Sequence, residues 1–199
     1  MNVKEYLGDI IGGSLMVSES RVIADTLLES LSEEEWKSRI IEQNILQKKS
    51  PQTAIRYART IRWRLEPLGD DFAREVQDAD ERLCTQLLML ALLINSPILV
   101  DFIRHTVIEA RRTYQPALSA DAWNDFYQAR ARAWPELAAY SESSIKKMGN
   151  NAIKILVDAG YLDSSRKRQL QPVYLLPQTR NRLQQLQQEE LVDVMECTL

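Results

Sequence analysis

The chain has 199 residues, 45% of them hydrophobic, and its 25 Lys and Arg against 28 Asp and Glu give a formal net charge of −3. That suffices to bury a core as one domain or as two small ones sharing a seam, and it is the composition of a globular protein. Six glycines, seven prolines, rare strand-type alternation and long segments of Leu, Ala, Glu, Gln and Arg argue against a β-rich fold and predict an all-α one.

The opening stretch, "MNVKEYLGDIIGGSLMVSES", lacks the basic start and sustained apolar core of a signal peptide. Ser18 or Ser20 is placed to cap a helix through Glu29, with Val22, Ile23, Leu27 and Leu28 as its apolar stripe. Ser32 followed by Glu35 is a capping box opening a helix to about Gln43. Ser50 then Pro51 is an N-cap before a proline at the first helical position, so a helix of about four turns follows. A short acidic helix is predicted near 70–77, then a long apolar one near 79–95 that contains Cys84. Its continuation, "LLMLALLINSPILVDFI", is interrupted by Asn95, Ser96 and Pro97, and neither half reaches the roughly 20 apolar residues of a membrane span.

A helix from Pro97 to about Thr113 carries His105, the one histidine. Asp121 is read as the cap of "AWNDFYQARARAW", which Pro135 follows. Ser141 opens the last long helix, and Gly160 ends it in the left-handed conformation. "YLDSSRKRQLQPVYL" then sets a basic tip between short apolar segments, the pattern of a β-hairpin wing or loop. A Gln-rich helix near 178–195 leads to Cys197. Two cysteines without CxxC spacing or a histidine cluster build no disulfide framework and point to a reducing cytoplasm.

Positive charge is gathered in two places. Residues 46–66 hold six Lys and Arg against Glu66, and residues 141–182 hold eight against Glu142, Asp158 and Asp163. Each segment is thus +5, and the remainder carries −13. Clustered cations on an acidic chain are the electrostatic footprint of phosphate recognition; a solvated helix face is the plainer alternative. At 100° per residue, Ala54, Ala58, Ile61, Leu65 and Leu68 form the core stripe of the first basic helix. Gln52, Arg56, Arg59 and Trp63 lie opposite with Arg62 flanking, and Trp63 is expected to pack beneath a neighbouring helix, a stacking platform for a base being the lesser alternative. In the second, Ile145, Met148, Ala152, Leu156 and Ala159 face inward, while Ser143, Lys147, Asn150 and Lys154 face outward, as suits a helix entering a major groove. Helix, turn, helix and hairpin is the order of a winged helix-turn-helix.

Chemistry has little support. His105 has no paired-ligand context, no phosphate-loop or dinucleotide motif is present, and Gly69, Asp70 and Asp71 read as the acidic start of a helix. Neither catalysis, metal nor cofactor is predicted.

Three strings, "LQKKSPQTAIRYARTIRWRLEPL", "LLMLALLINSPILVDFI" and "AWPELAAYSESSIKKMGNNAIKILVDAGYLDSS" followed by "LLP", resemble the BrxA family, the small helical core protein of bacteriophage-exclusion (BREX) systems, from about Gly12 to Leu183. The resemblance implies an all-helical, non-enzymatic protein that binds double-stranded DNA beside the methyltransferase and associated BREX proteins. By position it carries over Lys48, Lys49 and Ser50, and Ser141, Ser143, Ser144, Lys146 and Lys147. One departure is Gly149, Asn150 and Asn151 in the helix interior, where glycine costs about 1 kcal/mol and either weakens the helix or lets the backbone approach DNA closely.

The resulting expectation is a multi-helix globule with two helix-turn-helix-like elements, residues 1–115 holding the first and 116–199 the second with its short wing. It is monomeric, since no heptad seam or exposed apolar stripe demands a dimer, and it is off the membrane. The expected DNA contacts are Lys48, Lys49, Arg56, Arg59, Arg62, Ser143, Lys146, Lys147, Asn150, Lys154, Arg166, Lys167 and Arg168. A protein-interaction adaptor without DNA contact is the alternative.

Overall fold

The computed structural model describes residues 1–198. Its helices are α1 (Val3–Leu7), α2 (Val17–Leu28), α3 (Glu33–Lys37, continued by a π turn at Ser38–Glu42), α4 (Pro51–Leu65), α5 (Asp70–Asp78) and α6 (Glu81–Asn95). There follow α7 (Pro97–Phe102), a π turn at Ile103–Ile108, α8 (Glu109–Arg112), α9 (Ala122–Ala133), α10 (Glu142–Asp158), α11 (Pro177–Gln185) and α12 (Val192–Glu196). The fold is all-α: among the described residues no strand forms, and only two isolated antiparallel bridges occur, Ala117 with Gln169 and Leu162 with Leu170.

Packing divides the chain into an inserted unit, residues 15–92, and a discontinuous unit made of residues 1–14 and 93–199. The boundary expected near residue 115 falls inside the discontinuous unit, and the first fourteen residues belong with the C-terminal half rather than with the helices that follow them.

In the inserted unit the local signals act as read from the sequence. The Ser32 hydroxyl accepts from the Glu35 N–H at 3.3 Å while the Glu35 carboxylate accepts from the Ser32 N–H at 2.8 Å. Ser50 accepts from the Thr53 N–H at 3.2 Å, with Pro51 at the first helical position. The start of α2 differs from expectation. Met16, in the left-handed region at φ 54°, stands at its N-cap, whereas Ser20 lies inside the helix, buried, its hydroxyl donating to the Leu15 carbonyl at 3.2 Å. Helix α2 packs on α4 and α5, burying Ser20, Ile23 and Ala24, so the Ser20 hydroxyl is turned into the unit rather than left at a helix end. Arg21 also reaches the C-terminal end of α5, donating to the Gln77 carbonyl at 2.8 Å and the Ala79 carbonyl at 2.5 Å, where unpaired carbonyls attract a cation. Ala54, Ala58, Ile61 and Leu65 are buried as the core stripe, and Leu68 is half-buried.

The apolar run is divided between α6 and α7 at the buried Ser96. No single helix among the described residues is long and apolar enough to cross a membrane.

The discontinuous unit ties its N-terminal piece down by specific bonds. The Tyr6 hydroxyl donates to Asp101 at 2.9 Å, and the Asn151 amide donates to the Ile10 carbonyl at 2.8 Å. Gly8, at φ 56°, comes so close to the end of α6 that a Cβ there would lie 2.6 Å from Ser96 Oγ and 2.8 Å from the Asn95 carbonyl carbon. The single helix expected over 178–195 is two. After α11, Gln187 takes φ 55° and the Gln188 N–H bonds the Leu183 carbonyl at 2.9 Å, a helix stop with glutamine in the glycine position. The break lets α12 turn Val194 and Met195 inward, with the Met195 carbonyl accepting from the buried Tyr161 hydroxyl at 2.5 Å.

Candidate nucleic-acid interface

Helix α10 is defined at both ends. Ser141 Oγ accepts from the Ser144 N–H at 3.3 Å and lies 3.0 Å from the hydroxyls of both Ser143 and Ser144. At the other end Gly160 has φ 81°, and the Gly160 and Tyr161 N–H groups bond the carbonyls of Val157 at 3.0 Å and Leu156 at 2.8 Å. Met148, Gly149, Ala152, Ile153, Ile155 and Leu156 are buried; Ser143, Lys146, Lys147, Asn150 and Lys154 are exposed. Lys154 pairs with Asp158 at 3.0 Å on the open surface, an ion pair weak enough to leave the ammonium available.

Gly149 has neither of the roles considered from the sequence. It is buried against α9, where a Cβ would sit 2.7 Å from Trp123 Cγ and 3.1 Å from Trp123 Nε1. The indole N–H donates to the Ile145 carbonyl at 3.0 Å, and its ring meets Phe102 and Phe126 at centroid distances of 5.0 and 5.6 Å. Glycine is therefore the seat of Trp123 and fixes α10 against α9. The α9–α10 connection contains a 3₁₀ turn, Pro135–Ala139, longer than the three or four residues of the tightest helix-turn-helix motifs. Asp121 precedes α9 without a side-chain cap bond.

After Tyr161 the basic tip forms a closed turn. The Asp163 N–H bonds the Gln169 carbonyl at 3.0 Å, the Gln169 N–H returns to the Asp163 carboxylate at 2.9 Å, and the Ser164 hydroxyl accepts from Lys167 N–H at 3.1 Å. The segment before α9 lies against its outer side, Leu118 N–H on the Arg168 carbonyl and Leu170 N–H on the Pro116 carbonyl, both at 3.0 Å. Arg166 and Lys167 are exposed at the tip. Arg168 turns inward and donates to the Ser119 and Ala120 carbonyls at 2.8 Å, so its guanidinium braces the turn. Arg111 likewise bonds the Gln171 carbonyl. Lys146 and Asn150 also edge a polar cleft of about 610 Å³ with Asp121, Asn124 and Arg168.

The inserted unit holds the other basic cluster. Lys49, Arg56 and Arg59 are exposed. Lys48 is paired with Glu19 and lies 4.8 Å over the Tyr57 ring, and Arg62 bonds Glu33 at 2.8 Å and Glu66 at 3.0 Å while stacking 4.7 Å over Trp36. These two cations are thus committed to partners within the unit. Trp63, expected beneath a neighbour, is 46% exposed. Sequence reasoning passed over Ile55, an aliphatic residue on the polar side of α4 that is 43% exposed.

Among the described residues no three His, Cys, Asp or Glu gather as metal ligands. Asp70 and Asp71 occupy the first turn of α5, Asp71 pairing with Arg74 at 3.0 Å, and His105 is exposed. Both thiols are buried; burial pushes Cys197 up to about 12 and raises Cys84.

The BrxA family model matches residues 4–187. The chain belongs to the BrxA family. It is 46% identical over 195 residues to the BREX protein BrxA of Escherichia coli O9:H4, covering 98% of this chain and 92% of that one. To the BREX protein BrxA of Paramagnetospirillum magneticum it is 29% identical, over 98% of each chain. In structure this BrxA-family chain is similar to an uncharacterized protein from Magnetospirillum magneticum solved by crystallography, with a TM-score of 0.87 at 27% identity over 98% of this chain and 100% of that one.

Proposed function

We propose that this BrxA-family chain is a non-catalytic component of a BREX bacteriophage-defence system that binds double-stranded DNA and aids its recognition by the methylation and exclusion machinery. The observation that carries this reading is the exposed row Ser143, Lys147, Asn150 and Lys154 on α10, with Arg166 and Lys167 at the tip of a turn anchored to the same unit. The order α8, α9, α10 and a closed turn supports a helix-turn-helix-like reading, in which the later helix would enter the major groove and the turn would meet the adjacent backbone. Lysine suits phosphate or guanine, and Asn150 suits the paired donor and acceptor of adenine. An adaptor role beside DNA binding is favoured by a separate apolar groove on the inserted unit.

Fluorescence anisotropy with a labelled duplex tests the DNA reading. With about four phosphate contacts the log-log salt slope is roughly −3.6, and losing Lys147 and Lys154 together reduces it by about 2. Absence of binding at low salt refutes it.

A further inference from the structure

The inserted unit carries a concave surface of different character from the α10 face. Between the α3 segment and α4 lies an open groove of about 510 Å³ lined by Trp36, Ile40, Ile41, Ile55 and Ala58. The π turn at Ser38–Glu42 brings consecutive Ile40 and Ile41 to it, and Ile55 stands 43% exposed on its α4 side. Nucleic-acid backbone is a poor fit, because phosphates set against isoleucine and tryptophan lose hydration without hydrogen-bond replacement.

The edge of the groove along α4 is Ile55, Arg59 and Arg62, positions i, i+4 and i+7. At 1.5 Å per residue they span roughly 10 Å, the length that receives two apolar side chains one turn apart on a partner helix. The charges on the rim are unequal. The groove is lined by the cations Lys37, Arg59 and Arg62 against the acids Glu33 and Glu34, an excess of one positive charge; Arg62 lies over Trp36 and is held by Glu33 and, outside the lining, by Glu66. Neither the Lys37 nor the Arg59 side chain makes a hydrogen bond or ion pair among the described residues; Arg56 is exposed one turn before. The acid left unpaired on the rim is Glu34. Among the described residues a second copy of this chain presents no helix with two exposed large hydrophobics one turn apart; those exposed are Met1, Ile55, Trp63, Tyr114 and Tyr174.

We infer that this groove docks an amphipathic helix of another protein, one that sets two apolar side chains four residues apart on Trp36, Ile41 and Ile55 and flanks them with Asp or Glu facing Lys37 and Arg59. The occupant enters with its apolar stripe down, and the acids fix its direction along α4.

The full chain carrying p-benzoylphenylalanine in place of Ile41, Ile55 or, as a control on the same unit, the exposed Asp78 is irradiated in cells expressing the complete defence system. The expected result is one protein adduct from positions 41 and 55 and none from 78, mapping to a helical segment with apolar residues four apart beside acidic ones. Adding Arg59→Glu to the position 41 variant reduces the adduct about tenfold or more. An adduct to DNA, an adduct to a second copy of this chain, a basic or extended segment, or no adduct above the control overturns the inference. Ile55→Glu separates the two surfaces: it abolishes the position 41 adduct while leaving duplex binding unchanged.

Discussion

Replacing Gly149 by alanine sets two opposing effects on one atom. In an exposed helix interior alanine is about 1 kcal/mol better than glycine. Here the new Cβ would sit 2.7 Å from Trp123 Cγ and 3.1 Å from Nε1, so the indole must move. Its space is closed: Trp123 is 5% exposed, its ring meets Phe102, Phe126 and Tyr127 at 5.0, 5.6 and 6.2 Å, and its N–H is held on the Ile145 carbonyl at 3.0 Å. Overpacking of this kind costs about 1–3 kcal/mol, and stretching the indole hydrogen bond about 1 kcal/mol more. Set against the propensity gain, the net loss is about 2 kcal/mol, or roughly 4–8 °C in Tm for a chain of this size. Urea denaturation and scanning calorimetry of Gly149→Ala read it directly. Gly160→Ala is the control: nothing lies within 4 Å of its would-be Cβ, and it pays for the left-handed φ of 81° alone, about 1 kcal/mol. In a Trp123→Leu background Gly149→Ala becomes neutral or stabilising. A single Gly149→Ala variant more stable by the full propensity gain of about 1 kcal/mol would refute the seat that Gly149 provides.

Further tests separate contact from support. Arg168→Ala lowers Tm and weakens duplex binding together, by about 1–3 kcal/mol of stability, because it frees the turn from the Ser119 and Ala120 carbonyls. Arg166→Ala with Lys167→Ala weakens binding at unchanged Tm, and a matching fall in Tm would show that the tip is structural. Lys147→Ala with Lys154→Ala loses more affinity than Arg104→Ala with Arg112→Ala; equal losses would move the interface off α10. The native protein resists a thiol reagent at neutral pH, since burial holds both cysteines protonated, and fast labelling before unfolding contradicts that burial. Tyr161 is buried and holds its proton well above the ordinary 10.0, and Tyr127 is pushed up to about 12 by burial. The folded state therefore favours the neutral phenols; the stability they give is intact below about pH 10 and falls as pH rises above it. A urea midpoint that stays level or rises between about pH 9 and 11 would be contrary to this linkage.

Signals that act within one turn were readable from the chain. Ser32 with Glu35, Ser50 with Pro51, Ser141 and Gly160 each satisfy backbone groups three or four residues away, so their spacing alone places the helix ends. What escaped depends on residues far off in sequence. Ser20 looks like a cap until α4 and α5 bury the helix that contains it. Gly149 looks like a weak point until Trp123, from the preceding helix, fills the space above it. Lys48 looks free until Glu19 arrives from 29 residues upstream, and Arg168 until the loop before α9 offers two carbonyls. Periodicity found the outward row of α10 because its core stripe and exposed face are set by the helix alone. It missed the groove on the inserted unit, whose two walls come from separate helices.

The pairing of residues 1–14 with 93–199 sets a timetable for synthesis. The partners of Tyr6 and Ile10 are Asp101 and Asn151, so the N-terminal segment leaves the ribosome long before the chain it docks on exists. At about 10–20 residues per second the wait for Asn151 is roughly 10 s, during which residues 15–92 are already complete. Tyr6 and Leu7, buried in the folded chain, lack their native cover until α7 has emerged. A nascent chain stalled before residue 151 therefore leaves the first fourteen residues short of at least one of these partners, and a truncation at residue 92 removes both Asp101 and Asn151, without which a five-residue α1 has no support to hold it helical.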